Sequence, residues 1–200
     1  ASAWGPIETF GENLTYPALV AMEDGSLIFA ARRSHDDRPW EVELWRRSPD
    51  DGWKMMGPVV RSRFPGYAQF AASLAIGPKG TLHMATRIFE TRDGDTQMPI
   101  TTVGYLVSED AGLTWRKANG ENVGLPVTAE TIDRIASAEA TMGSVLSGGS
   151  MAVDAAGVPH LVYSERVQAS SHGYIATPGD GIAWRHVELN PFLPEAARGY

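Results

Sequence analysis

The 200-residue chain has no cysteine, which excludes disulfides and thiolate metal sites. No apolar run approaches the roughly 18 residues that cross a membrane as a helix. Positive charge is not in excess: 17 Lys and Arg stand against 24 Asp and Glu, for a net charge of −7. A general nucleic-acid binder calls for the opposite sign. The sequence carries no Gly-rich phosphate loop, no His-Glu-x-x-His and no EF-hand spacing, so no cofactor is evident. Asp50, Asp51, Asp93 and Asp95 have oxygens that attract Ca²⁺, although turns use the same residues for their own hydrogen bonds. The chain opens on Ala1, Ser2 and Ala3 without Met or an apolar targeting segment. A mature end left by signal removal reads this way, and with it comes the expectation of a secreted or periplasmic protein. A domain cut from a longer chain reads the same.

What the chain has in quantity is turn formers, with 21 Gly and 13 Pro. They are ordered by a repeat. Residues 17–32, 72–87 and 149–164 align on Gly25, Gly80 and Gly157. Each stretch is a short apolar strand, a turn ending in Gly, and a second strand. Glycine supplies the positive φ that such hairpin turns need. A second element follows each hairpin, at 48–53, 108–115 and 177–184. The middle copy is complete as Ser-x-Asp-x-Gly-x-Thr-Trp, and the other two are degenerate. In this Asp-box, Asp and Ser oxygens accept hydrogen bonds from turn N–H groups while Trp packs beneath. Strands are expected before each box at 42–47, 103–107 and 174–176. They are expected after it at 53–60, 115–117 and 184–189.

Four strands per unit with a recurring turn signature is the pattern of a propeller blade. The expected fold is therefore all-β: a β-propeller of four-stranded antiparallel blades, with about three blades in this chain. Residues 16–60, 67–127 and 147–189 read as those blades. Residues 1–15 are available as a strand of another blade, and 190–200 lead into the next. Closed propellers have four to eight blades, so three form a partial ring. Its remaining blades must come from more of the chain or from another chain. The stretch 128–143 fits less well. Apolar Ile132, Ile135 and Ala136 suit one face of a short helix, and an ordered loop between blades is the alternative.

Strand order filters the candidate residues. If Gly turns and Asp-boxes share one end of the ring, the other end carries the starts of first strands and the second-to-third loops. Longer loops are the usual carriers of function. This selects Thr15, Tyr16, Arg32, Arg33, His35, Asp36 and Asp37 on the first blade. It selects Tyr67, Gln69, Arg87, Glu90 and Arg92 on the second, and Ser147, Ser150, Glu165, Arg166 and His172 on the third. Arg32 and Arg87 each follow their repeat Gly by seven residues and should be equivalent. Arg32, Arg33, Arg87 and Arg166, with Gln69 and His172, are candidates to bind an anionic substrate through planar guanidinium forks. Pairing with Glu or Asp between blades is the competing role for the arginines. Tyr16 and Tyr67 stand at the expected mouth, suited to stacking on a sugar or to proton transfer. His35, Asp36 and Asp37 share one loop and are acid–base candidates. His83 and His160 fall near the Gly-turn end, where a structural role is expected.

The complete Asp-box and the three hairpins resemble the sialidase-like superfamily of BNR-repeat propellers. Residues 149–160 look especially like the BNR-repeat-containing family that includes ulvan lyases. The resemblance implies a propeller that acts on acidic polysaccharides, as a lyase or a glycosidase. Some of the motifs differ. Sialidases carry an Arg-Ile-Pro motif where this chain has Leu14, Thr15, Tyr16 and Pro17. The related lyases often have Asn-His where this chain has residues 98–102 without His, and Asn-Gln where it has Ser147 and Gly148. These differences favour the alternative of a glycan-binding or scaffold propeller without catalysis.

Overall fold

The computed structural model describes residues 7–92, 94–180 and 183–194. Within them, twelve strands form three four-stranded antiparallel sheets, each a meander in sequence order. The first holds β1 (Leu14–Ala21), β2 (Leu27–Arg33), β3 (Glu41–Ser48) and β4 (Gly52–Arg61). The second holds β5 (Ala68–Ile76), β6 (Leu82–Glu90), β7 (Ile100–Ser108) and β8 (Asp133–Glu139). The third holds β9 (Ser144–Val153), β10 (Pro159–Val167), β11 (Ser170–Pro178) and β12 (Trp184–Glu188). The first strands β1, β5 and β9 follow one another along the inner side, with β5 touching both β1 and β9. This is the partial propeller that the repeat implies.

The repeat glycines lie where expected. Gly25, Gly80 and Gly157 have φ of 79°, 74° and 84°, a region open to Gly at no steric cost. The turn after β7 folds on its own side chains. One Asp110 carboxylate oxygen accepts from Ser108 Oγ and Thr114 N–H, both at 2.8 Å. The other accepts from Thr114 Oγ1 at 2.6 Å. Ser108 Oγ accepts from Gly112 N–H at 2.8 Å, and the buried Trp115 indole donates to Gly112 O at 3.0 Å. Partial burial works against the Asp110 charge. The hydrogen bonds from Thr114, Ser108 and Leu113 outweigh it and hold the carboxyl below its ordinary range.

Two apolar layers separate the sheets. Ile28, Val42, Leu44 and Val60 of the first sheet meet Phe70, Leu82, Met84, Ile88 and Leu106 of the second. On the other side, Val103, Tyr105 and Ile135 meet Leu146, Leu161, Tyr163 and Trp184. The middle sheet is covered on both faces, so its strand β6 is buried without alternation from Leu82 to Thr86. Among the described residues, the two flanking sheets each leave part of one face exposed. Leu19 and Met55 on the first are 56% and 55% exposed, and Val162 and Val187 on the third are 42% and 43% exposed.

Three expectations change. The fourth strand of the second sheet is not 115–117 but β8, so that sheet runs on to 139, past the expected end at 127. Arg116 makes only isolated bridges to Val107 and Asn122. The chain then leaves the sheet, and Val127 bridges to Val60 of β4 before the chain returns. The stretch 128–143 is accordingly not the expected helix or loop but mainly β8, followed by one 3-10 turn at Ala140–Met142. Its apolar residues do not share one face: Ile132, before β8, packs in the first apolar layer and Ile135 in the second, and a register shift opposite Val103 and Gly104 breaks the strand alternation. Inward residues then fall at 133, 135 and 138 instead of every second position. Finally, 7–13 form no strand. Phe10 instead stacks on Trp53 at 4.2 Å and meets Phe29 and Trp45 edge-on or tilted. Residues 1–6 and 195–200, and with them parts of the expected end segments, lie outside the described residues.

Candidate functional site

The strand ends opposite the Gly turns bring residues of two sheets together. Tyr16 lies inside β1, not before it, at a bulge between Thr15 and Ala18 and with φ of 55°. A non-Gly residue in the left-handed region stores strain. The bulge leaves Tyr16 44% exposed, at the inner edge of the sheet. Arg32 of β2 places its guanidinium 4.8 Å from the Tyr16 ring, 4.7 Å from the Trp40 ring and 6.0 Å from the Tyr67 ring. It donates from Nε to Thr15 Oγ1 at 2.8 Å and from a terminal nitrogen to Ala68 O at 3.3 Å. Tyr67, just before β5, meets Trp40 and Phe89 edge-on at 5.3 and 6.1 Å.

A polar chain continues from this cage to the second sheet. Gln69 Nε2 donates to the Tyr16 hydroxyl at 2.7 Å. Gln69 Oε1 accepts from Arg87 of β6. Arg87 also lines a cleft of about 430 Å³ between β5 and β9, together with Ser73, Ser147, Gly148, Gly149 and Ser150. Burial lowers the Arg87 pKa, and the neighbouring Tyr16 and Tyr67 work against that. Its Nε is buried without a hydrogen-bond partner among the described residues.

The arginines among the described residues divide into three sets. Arg33, Arg46, Arg47, Arg61, Arg63 and Arg116 each pair with a carboxylate. Arg38, Arg92, Arg134, Arg166 and Arg185 have no carboxylate partner among the described residues and are exposed. Only Arg32 and Arg87 are partly buried and still without a carboxylate among the described residues. Pairing between blades does occur, but Arg63 performs it, holding Glu90 at 2.7 Å and Glu130 at 3.1 Å.

Other candidates fall elsewhere. His35 does not face the mouth. It donates to Glu41 at 3.1 Å with its side chain 8% exposed, and its carbonyl accepts from the Trp40 indole. Its work is to shape the loop that carries Trp40. Asp36 and Asp37 are exposed on that loop. Arg33 points to the opposite face of β2 from Arg32, toward Glu43 at 3.7 Å, because adjacent strand residues alternate. Arg166 is exposed at the far end of β10, and His172 on β11 pairs with Glu188 of β12 at 2.8 Å. His172 is thus two strands from the inner strand β9, while Arg166 stands next to it, opposite Val145. His83 is buried and shares a 2.6 Å hydrogen bond with the Tyr105 hydroxyl, and His160 lies 3.2 Å from Asp154. Among the described residues, no group of three or more His, Asp or Glu is placed to hold a metal ion. Asp93 lies outside them, and Asp51 pairs with Lys54.

Trp40 and Phe89 were not among the sequence candidates. A lone Trp in an otherwise polar loop was the available signal for the first. Phe89 reads as an ordinary strand residue, and nothing in the sequence marks it.

Solved structures share this architecture. An ulvan lyase of a polysaccharide lyase family matches with a TM-score of 0.65 at 18% identity, over 92% of this chain and 45% of that one. It is also known bound to -[GlcA(1-4)Rha3S]-. An α-L-arabinanase from Penicillium chrysogenum, complexed with arabinobiose, matches with a TM-score of 0.60 at 19% identity, over 88% of this chain and 49% of that one. A Hadza microbial sialidase matches with a TM-score of 0.54 at 18% identity, over 87% of this chain and 37% of that one. The chain thus spans less than half the length of each. No curated protein matches it. A family model described as BNR repeat-containing family member matches residues 3–191. By that match over nearly its whole length, the chain belongs to the BNR repeat-containing family.

Proposed function

We propose that this chain is part of a carbohydrate-active propeller whose mouth holds an acidic poly- or oligosaccharide. The observation that carries the reading is the pair Arg32 and Arg87, partly buried, among aromatic rings, and without carboxylate partners among the described residues. A protein of net charge −7 gains nothing from general attraction of an anion. Local guanidinium groups must supply it. Tyr16, Trp40 and Tyr67 offer ring faces of the kind that sugars stack on. The likeness to a lyase, an arabinanase and a sialidase supports a glycan as the ligand class. Three sheets are too few to close a propeller. The open faces of the first and third sheets suit further blades, from the same chain or another.

For the chemistry, Tyr16 is the best-placed proton-transfer group. Its oxygen already accepts from Gln69 Nε2, so its own proton is free to serve a substrate. In a lyase, Tyr16 as phenolate would take the proton adjacent to the uronate carboxylate and return it to the departing glycosidic oxygen as the double bond forms, with arginines on the carboxylate stabilising the charge that develops. In a hydrolase, Asp36 or Asp37 would protonate the leaving oxygen. The second reading is a binding propeller without turnover, and the occupation of His35 by Glu41 favours it.

The test is incubation with uronate and sulfated polysaccharides, following unsaturated product by ultraviolet absorbance and new reducing ends chemically. Unsaturated ends support the lyase, and reducing ends alone support the hydrolase. Saturable binding with neither product supports the binding propeller. Absence of binding and of both products across the panel overturns the proposal.

A further inference from the structure

The two arginines of the mouth are not alike. Arg32 is enclosed by three aromatic rings, and two of its nitrogens already donate to Thr15 Oγ1 and Ala68 O. It organises a stacking surface. Arg87 has one described bond, to Gln69, and a buried Nε with none among the described residues. A buried N–H without an acceptor is costly, more so on a charged group. Arg33 and Arg46 carry an equally unpartnered Nε but hold carboxylates, so Arg87 is set apart by its lack of a counter-charge among the described residues.

Backbone lines the space beside Arg87. β9 shifts register between its pairings with Val162 and Tyr163, and the bulge falls at Gly148 and Gly149. A Cβ on Gly149 would stand 2.9 Å from Ala71 O of β5, and one on Gly148 would stand 2.8 Å from Tyr163 Cα. Their φ values are 139° and 109°. Glycine at 149 lets the inner strands β9 and β5 approach, and glycine at 148 lets β9 bulge against its own neighbour β10. Both glycines line the cleft beside Arg87, where they present backbone and no side chain. Ser147 and Ser150 flank the glycines, are exposed, and line the same cleft. Hydroxyls and a guanidinium are donors suited to an oxyanion.

We propose that the cleft between β5 and β9 is a socket for one oxyanion of a sugar, a carboxylate or a sulfate half-ester. Arg87 is its charged donor, with Ser147 and Ser150 its hydroxyl donors. The sugar-bearing part of this proposal rests on the reading of the mouth as a glycan site. Arg32 and its rings then contact the neighbouring sugar face, whatever its charge.

The experiment measures binding to the intact protein by calorimetry. The probes are a glucuronate oligosaccharide and its carboxyl-reduced form, a sulfated galactan oligosaccharide and its desulfated form, and inorganic sulfate. Arg87→Met should weaken the charged probes by about tenfold or more, the scale of one lost charge-assisted contact, and leave the neutral forms unchanged. Arg32→Met should weaken charged and neutral forms alike. Ser147→Ala with Ser150→Ala should weaken the charged probes by a smaller factor. Loss with the glucuronate pair assigns the socket to a carboxylate, and loss with the sulfated pair assigns it to a sulfate. Equal weakening of charged and neutral probes by Arg87→Met overturns the socket, as does no effect on either. If no sugar binds, inorganic sulfate separates the two readings. Sulfate binding that Arg87→Met abolishes keeps the oxyanion socket and sinks the glycan reading. Sulfate binding that survives it, or no sulfate binding to the native protein, sinks the socket. Arg87→Lys, which keeps the charge and loses the fork, should fall between native and Met; far-ultraviolet circular dichroism confirms that each variant is folded.

Discussion

Breaking the Arg63–Glu90 pair should be among the most damaging single changes in this chain. Glu90, at the end of β6, is 1% exposed. It accepts from the Arg63 backbone N–H at 2.6 Å, from Nε at 2.9 Å and from a terminal nitrogen at 2.7 Å. Burial opposes the charge on Arg63, but the bonds and attraction of Glu90 and Glu130 outweigh it. Arg63→Met removes two of the three Glu90 bonds and leaves a buried carboxylate without its counter-charge. Breaking a buried pair from one side costs about 3–5 kcal/mol. For a domain of this size each kcal/mol moves Tm by about 2–4 °C, so a fall of about 6–20 °C is expected in a thermal melt. The double variant Arg63→Met with Glu90→Met should recover most of the loss, because an apolar pair carries no desolvation cost. A fall below about 1 kcal/mol in the single variant, the range of an exposed pair, would refute the reasoning. So would a double variant no more stable than the single. The consequence reaches the mouth. Arg63 sits on the connector that ends at Tyr67, and Thr91, one residue past Glu90, donates to Tyr67 O at 2.8 Å.

Further outcomes are expected. Gly104→Ala should destabilise by about 1–3 kcal/mol, the usual cost of overpacking, since its Cβ would lie 2.6 Å from Ile132 Cδ1. Adding Ile132→Val, which deletes that atom, should restore part of the loss in a urea titration. Asp110→Ala should loosen the turn that seats Trp115, seen as faster amide exchange at Gly112 and Thr114. The native carboxyl lies below its ordinary range, so its contribution is present above the unfolded pKa and lost as pH falls through the folded one. Asp110→Ala should therefore be less sensitive to acid. Burial pushes the His83 and His186 pKa values down. The unfolded chain then binds more protons below the ordinary histidine pKa, so stability falls as pH drops below about 6.5. His83→Phe should flatten urea-unfolding stability between neutral and mildly acidic pH; an unchanged slope would count against the buried neutral imidazole.

Much of the fold was legible because a propeller repeats. The glycine of each hairpin needs its positive φ in every copy, so Gly25, Gly80 and Gly157 mark equivalent turns in the bare sequence. β8 was not legible. The bulge opposite Gly104 breaks the alternation that would mark 133–139 as a strand, and the excursion that precedes it is held by Val60 of another sheet. The candidate site was legible in part. Arg32, Arg87, Tyr16, Tyr67 and Gln69 came from strand order alone, and the structure connects all five. His35 looked free because its partner Glu41, six residues on, is brought to it only by the folded loop. Arg33 could not be separated from Arg32 without knowing which face of β2 looks inward.

Local chemistry thus settled the strand–turn rhythm, the four-stranded units and the end of the ring where polar residues gather. Each follows from short-range rules: φ at glycine, alternation along a strand, and hydrogen bonds within a turn. Tertiary structure alone decided which charges are neutralised and which remain available. Arg63 and Arg87 are chemically the same residue. One meets a buried carboxylate 27 positions away in sequence, and the other faces a cleft lined by two glycines and two serines of a neighbouring sheet. Charge pairing depends on distance in space, and only the packing of one sheet against the next sets that distance.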